Sequence, residues 1–176
     1  MAEVILKMAG GGLLCLSCSL LGVYFSRRDG YRINDLNELK KILLILKSEI
    51  AFAHNLLPEA LLNAGGRADR RVGGFFTAIS GRMSERDGAD LREIWDDGLK
   101  RGFSGSHLKD EDVETVSRLG RIIGYLDKTL QTDGLEMAIG EISGTVNRLI
   151  ALRERNGRLY RSLGVLGGLL ITVMIL

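Results

Sequence analysis

The chain has 176 residues, room for one domain of ordinary size. Hydrophobic residues make up 45% and charged residues 26%, with 6% aromatic residues and a single proline, a composition that suits helices and excludes an all-β fold. The charges are segregated: none falls in residues 8–25 or 162–176, and with Lys7 and Glu3 set aside the middle holds 23 basic and 21 acidic groups, so no cationic surplus exists to bind nucleic acid.

Between Val4 and Phe25 the only charged residue is Lys7, so residues 4–26 are predicted to form a transmembrane helix, since a hydrocarbon core needs about 20 apolar residues. Retention is expected over cleavage as a signal peptide, because Glu3 and Lys7 give no basic surplus and no small-residue cleavage site follows. Cys15 and Cys18 lie within this segment, far from His54 and His107. A structural zinc needs about four ligands, so they read as small residues on a membrane helix.

Arg27, Arg28 and Arg32 come next, opening a middle domain predicted over residues 27–161. Over residues 33–53, Leu36, Leu39, Leu43, Leu46, Ile50 and Ala53 recur at helical spacing, which predicts a core helix; Asn34 or Asp35 would cap its start and His54-Asn55 would mark its end. Pro58 suits the first position of a short helix over residues 58–64, closed by Gly65 and Gly66. Two further helices are predicted over residues 72–83 and 89–100, the second burying Leu91, Ile94, Trp95 and Leu99, followed by a loop over residues 101–107.

That loop places Ser104 and Ser106 near His107, but a nucleophile elbow needs G-x-S-x-G between a strand and a helix; the loop therefore reads as a connector in which Ser106 caps the next helix. Asp110, Glu111 and Asp112 load that helix start with negative charge, and Val113, Val116, Leu119 and Ile123 face inward up to Gly124. With Asp96 and Asp97 these acids also form a candidate surface for a basic partner. A last helix begins near Asp127, with Leu135, Ile139, Ile142, Val146 and Leu149 on one face, and no proline interrupts it. It is predicted to run on into a second transmembrane segment, residues 162–176.

Arg153, Arg155, Arg158 and Arg161 precede this segment as Arg27 and Arg28 follow the first. Basic borders on both sides place the middle in the cytoplasm and both termini outside, and the same charges suit anionic lipid headgroups. Small residues, among them Gly12 and Ser19 in one segment and Gly164 and Gly168 in the other, let membrane helices approach closely, on each other or on a second copy in a homo-oligomer. The fold class is thus all-α, a cytoplasmic bundle of five to six helices between two transmembrane helices. The P-loop, G-x-G-x-x-G and H-E-x-x-H patterns are absent, so neither an enzyme nor a cofactor is expected.

The run from Asn156 through Arg158, Tyr160, Arg161 and Gly164 to Leu169 resembles the end of the stage III sporulation protein AB family, as do Glu49-Ile50, Leu57-Pro58-Glu59-Ala60-Leu61, and Leu119-Gly120, Gly124, Asp127 and Gln131. His54, Asn55, Tyr125, Leu126 and Gly157 depart from that pattern. The resemblance implies a non-enzymatic component of the channel between mother cell and forespore, located in the mother-cell membrane around the forespore. It also implies a domain similar to the platform protein of type II secretion, and as partners the ATPase of the same operon, stage III sporulation protein AA, and other channel proteins. A membrane-anchored signalling or lipid-binding adaptor is the alternative.

Overall fold

The computed structural model describes residues 30–53, 55–85, 90–103, 105–125 and 127–175, with side chains as far as Arg155. Among them all regular structure is helical. Helix α1 runs from the first described residue over residues 30–48 and continues as a π-helical turn, Glu49–Ala53. Then come α2 (Leu57–Gly66), α3 (Arg70–Ser84), α4 (Leu91–Gly102), α5 (Asp110–Ile123) and α6 (Lys128–Ile175). The chain divides into two units, Arg32–Asn147 and a second drawn from residues on either side of it.

The core of the Arg32–Asn147 unit is built where the apolar periodicity predicts it. Leu36, Leu39, Leu43 and Leu46 of α1 are fully buried, with Leu61, Phe76, Trp95, Leu119 and Leu135 from the other helices. Each helix from α3 to α6 packs antiparallel to its predecessor: Ser80 Oγ donates to the Pro58 carbonyl at 2.6 Å, Gly98 lies against Ile79 and Gly102 against Phe75, Trp95 Nε1 donates to the Val116 carbonyl at 3.0 Å, and Thr115 Oγ1 donates to Glu141 at 3.2 Å. Arg32 at the start of α1 touches the start of α5, and Lys47 near its end reaches Glu136 of α6 at 2.8 Å. Helix α1 therefore runs antiparallel to α6. Chain entry at Arg32 and exit at Asn147 share one end of the unit, the junction end; the π-turn, the start of α2 and the α5–α6 turn form the far end.

Several contacts depend on glycine. A Cβ on Gly73 would lie 2.2 Å from the Gly65 carbonyl oxygen, one on Gly102 2.4 Å from Phe75, and one on Gly120 2.3 Å from the Trp95 ring. Each lets the neighbouring helix approach to a distance that a side chain forbids. Phe75 stacks on Phe103 with centroids 5.0 Å apart and meets Trp95 edge-on at 5.1 Å, a favourable geometry for rings with opposed edge and face charge.

Some local expectations are corrected. Asp35 does not cap α1, which is already helical at Gly30; its carboxylate is buried. Gly65 does not close α2 but sits inside it at the α3 crossing. Helix α4 extends through Gly102, shortening the predicted loop. Ser106 does not cap α5: its Oγ donates to the Phe103 carbonyl at 2.9 Å, and Lys109 occupies the N-cap position. Asp69, which caps α3, was not singled out as a cap; it accepts from the Arg71 backbone N–H at 2.9 Å.

Among the described residues no helix is long and apolar enough to cross a membrane. The segment 4–26, with Gly12, Ser19, Cys15 and Cys18, lies outside the described residues, as do Arg27, Arg28, His54 and Ser104. So do the side chains of 156–176, including Arg158, Arg161, Gly164 and Gly168, although the backbone is helical through Ile175.

Candidate functional site

A polar cluster occupies the junction end. Arg32 is 5% exposed and grips Asp112 with two parallel bonds, Nε to Oδ2 and Nη2 to Oδ1, both 2.9 Å; Nη2 also bonds Glu111. Burial opposes the guanidinium charge, but the hydrogen bonds to Asp112 and then Glu111 outweigh it and raise the Arg32 pKa. Asp112 Oδ2 accepts in addition from the Lys109 backbone N–H at 2.8 Å, so one carboxylate both satisfies a donor at the start of α5 and neutralises an arginine of α1.

Three residues along α1, Asp35 is 1% exposed. It accepts from the His107 backbone N–H at 2.6 Å, lies 3.2 Å from His107 Nδ1 and 3.8 Å from Arg71 Nη2. The start of α1 thus collects the α4–α5 loop and the first turns of α3 and α5. Hydrogen bonding to Asp69, then the charge of Asp35, raises the Arg71 pKa.

This arrangement separates the acids grouped in the sequence. Asp112 is not part of an exposed surface, since its side chain is 3% exposed and committed to Arg32. Glu111, 61% exposed, shares that arginine, and Asp110 is exposed beside it. Asp96 is exposed and Asp97 half-buried on α4; Asp97 meets Lys100 at 3.1 Å and Arg82 at 3.6 Å, and its carboxyl is held low by Lys100 first. Arg153 and Arg155 are exposed on α6, and a Cβ on Gly30 would lie 3.4 Å from the Arg153 guanidinium. The Ser106 hydroxyl is spent on a backbone carbonyl, and His107 is held by Asp35; this pair forms no nucleophile–base contact. Among the described residues no group of three or more His, Cys, Asp or Glu could hold a metal ion.

Two further surfaces lie outside the acidic candidates. At the far end Phe52 is 80% exposed, Leu56 77% and Tyr125 57%. Between α3 and α4 lies a cleft of about 360 Å³ with Phe75 and Ile79 at its base and Arg82 and Arg101 beside it.

The family model described as stage III sporulation protein AB matches residues 7–176. Stage III sporulation protein AB of Bacillus subtilis (strain 168) is 22% identical over 172 residues, covering 97% of this chain and 99% of the relative. A solved structure of a stage III sporulation protein AB superposes with a TM-score of 0.64 at 19% identity, covering 71% of this chain and 98% of that one.

Proposed function

Because the chain belongs to the stage III sporulation protein AB family, we propose that it serves endospore formation as a non-enzymatic membrane platform. On this reading it is part of the channel between mother cell and forespore and couples a cytoplasmic ATPase to the membrane assembly. The family is named for sporulation and not for an enzyme activity. The apolar segments 4–26, whose single charge is Lys7, and 162–176 supply the membrane arms, and Arg27, Arg28, Arg153, Arg155, Arg158 and Arg161 beside them favour a cytoplasmic middle.

The observation that carries the coupling role is the polarity of the Arg32–Asn147 unit along its length. Chain entry and exit share the junction end, and the far end presents Phe52, Leu56 and Tyr125 to solvent, an apolar surface suited to a partner protein. The ATPase, resembling stage III sporulation protein AA, docks on that far end. Asp110 and Glu111, at the junction end, are not the contact.

The test is a pull-down of the ATPase by the detergent-solubilised full chain. Phe52→Ser with Leu56→Ser removes binding while helicity is kept, and Asp110→Asn with Glu111→Gln leaves it unchanged. Retained binding by the serine variant together with loss in the acidic one places the docking site at the junction end instead.

A further inference from the structure

Two connections meet the first turns of α1 at the junction end. In the α2–α3 turn the Asp69 backbone N–H donates to Glu38 at 3.0 Å, and Arg71 just beyond it lies 3.8 Å from Asp35. In the α4–α5 loop His107 is bonded to Asp35, and the Lys109 backbone N–H donates to the Asp112 carboxylate that also holds Arg32. These ties gather Arg67, Arg70, Arg101 and Lys109 at one end of the unit, although no two of them are adjacent in the sequence. All four are exposed, and none forms an ion pair among the described residues. The acids around them are already matched: Asp35, Asp69, Glu111 and Asp112 each stand in an ion pair, which leaves Asp110.

The far end has the opposite balance. There Glu49, Glu59, Glu85, Asp90, Glu93 and Asp127 form no ion pair among the described residues, against Arg92, Arg121 and Lys128 in the same state. The Arg32–Asn147 unit therefore carries its unmatched positive charge where the chain enters and leaves it, and its unmatched negative charge at the other end. A charge with a close counter-charge adds little to the field outside, so the unmatched groups decide what each end attracts. Near an anionic surface such a unit is drawn in at one end and repelled at the other.

We propose that the junction end is a lipid-headgroup face, on which Arg67, Arg70, Arg101 and Lys109 bind the anionic lipids of the bilayer that holds segments 4–26 and 162–176. Residues 27–31 alone separate the first of these segments from Arg32, and a chain of that length reaches at most about 20 Å, so connectivity keeps the face near the headgroups. Guanidinium and ammonium groups are the natural partners of lipid phosphates. Each one close to an anionic leaflet adds attraction that fades within a Debye length. The border arginines are legible as such in the sequence; this patch exists only once the fold has joined two connections. The inference rests on the membrane arms of the platform reading and not on the ATPase, since the face includes none of Phe52, Leu56 and Tyr125.

The test reconstitutes the full chain, with Cys15 and Cys18 changed to serine, in phosphatidylcholine vesicles with and without phosphatidylglycerol. A donor dye is attached at Gly66→Cys, at the junction end, or at Gly81→Cys, towards the far end; both glycines are exposed and a Cβ on either meets nothing within 4 Å. Energy transfer to an acceptor on the lipid headgroups reads how close each end lies to the bilayer. Phosphatidylglycerol is expected to raise transfer from Gly66→Cys more than from Gly81→Cys, and high salt removes the gain. Combined Arg67→Glu, Arg70→Glu, Arg101→Glu and Lys109→Glu abolishes it, and so does the corresponding glutamine set, whose melting temperature matches the parent because no ion pair is lost. No gain in the inserted parent, a gain kept by either folded variant, or a gain at Gly81→Cys as large as at Gly66→Cys overturns the proposal. Loss of the gain to inorganic phosphate at constant ionic strength also overturns it, since the patch is then a site for a soluble anion. Release of the chain from the vesicles by alkaline carbonate overturns the membrane arms and this face with them, whereas the other outcomes leave the arms standing.

Discussion

An arginine on the apolar stripe of a helix has to find its counter-charge inside the protein, and Arg32 does so in Asp112. Removing one member of such a pair leaves an uncompensated buried charge, whereas replacing both with apolar residues removes that penalty. Arg32→Met is therefore expected to destabilise the full chain by about 3–5 kcal/mol in denaturant unfolding. Arg32→Met with Asp112→Leu should recover most of this except the about 1 kcal/mol that the lost bond to the Lys109 N–H costs as a helix cap. Equal destabilisation by the single and double variants would show the pair to be energetically idle. The sequence carried half of this information: stepping back by fours from Leu36 and Leu39 reaches Arg32 and Asp35, polar residues on the buried stripe. Their partners, 80 and 72 positions onward, have no sequence signature, so Arg32 reads as a membrane-border charge and Asp112 as a surface acid.

Asp69 makes the residue scale testable by pH. Its carboxyl is held below the ordinary range, first by the side-chain hydrogen bond from Arg71 and then by the Arg71 backbone N–H. A carboxylate with a depressed folded pKa contributes stability that is present above its unfolded value, about 3.9, and is lost as pH falls through the lower folded value. Asp69→Asn keeps an acceptor for the cap but cannot titrate. Melting temperatures recorded between pH 6 and 3 should fall less steeply below about pH 4 for Asp69→Asn than for the parent; parallel curves would remove Asp69 from the acid response.

At the scale of elements, adjacent glycines on α3 have opposite roles. A Cβ on Gly73 would strike the Gly65 carbonyl oxygen at 2.2 Å, while one on Gly74 meets nothing within 4 Å. Backbone cannot rotate away as a side chain can, so Gly73→Ala must part α2 from α3, at a cost of about 1–3 kcal/mol as for overpacking. Gly74→Ala gains about 0.5–1 kcal/mol in helix propensity. Chemical denaturation of both variants checks the sign difference, and a stabilised Gly73→Ala would refute the crossing geometry. The helices were legible because burial imposes a 3.6-residue period on Leu, Ile and Val, and the observed ends fall close to the predicted ones. The glycine contacts were not, since glycine within a helical pattern reads as a breaker or a cap when its use is the space that it leaves for Phe75, Trp95 or a carbonyl.

For the whole molecule, family and helical class were readable, the family from matching blocks that run nearly the full length of the chain, and the family match covers residues 7–176. The exposed apolar side chains were not, because residues such as Phe52 and Leu56 look like core in a one-dimensional pattern and only the packing leaves them outside. Membrane orientation is the property on which the proposed coupling to a cytoplasmic ATPase depends, and the proposal for it rests on charge alone. Arginines border both apolar segments on the side of the middle domain, and moving them across a bilayer is far less favourable than leaving them in the cytoplasm. Asp96 is exposed on α4 and lies outside the Phe52, Leu56 and Tyr125 surface proposed for the ATPase, so a cysteine there reports sidedness. With Cys15 and Cys18 changed to serine, Asp96→Cys should react with a membrane-impermeant maleimide only after the cells are permeabilised, while Ala2→Cys should react in intact cells. Labelling of Asp96→Cys in intact cells would put the middle domain outside, remove it from any cytoplasmic ATPase and leave the arginine borders without their assigned role.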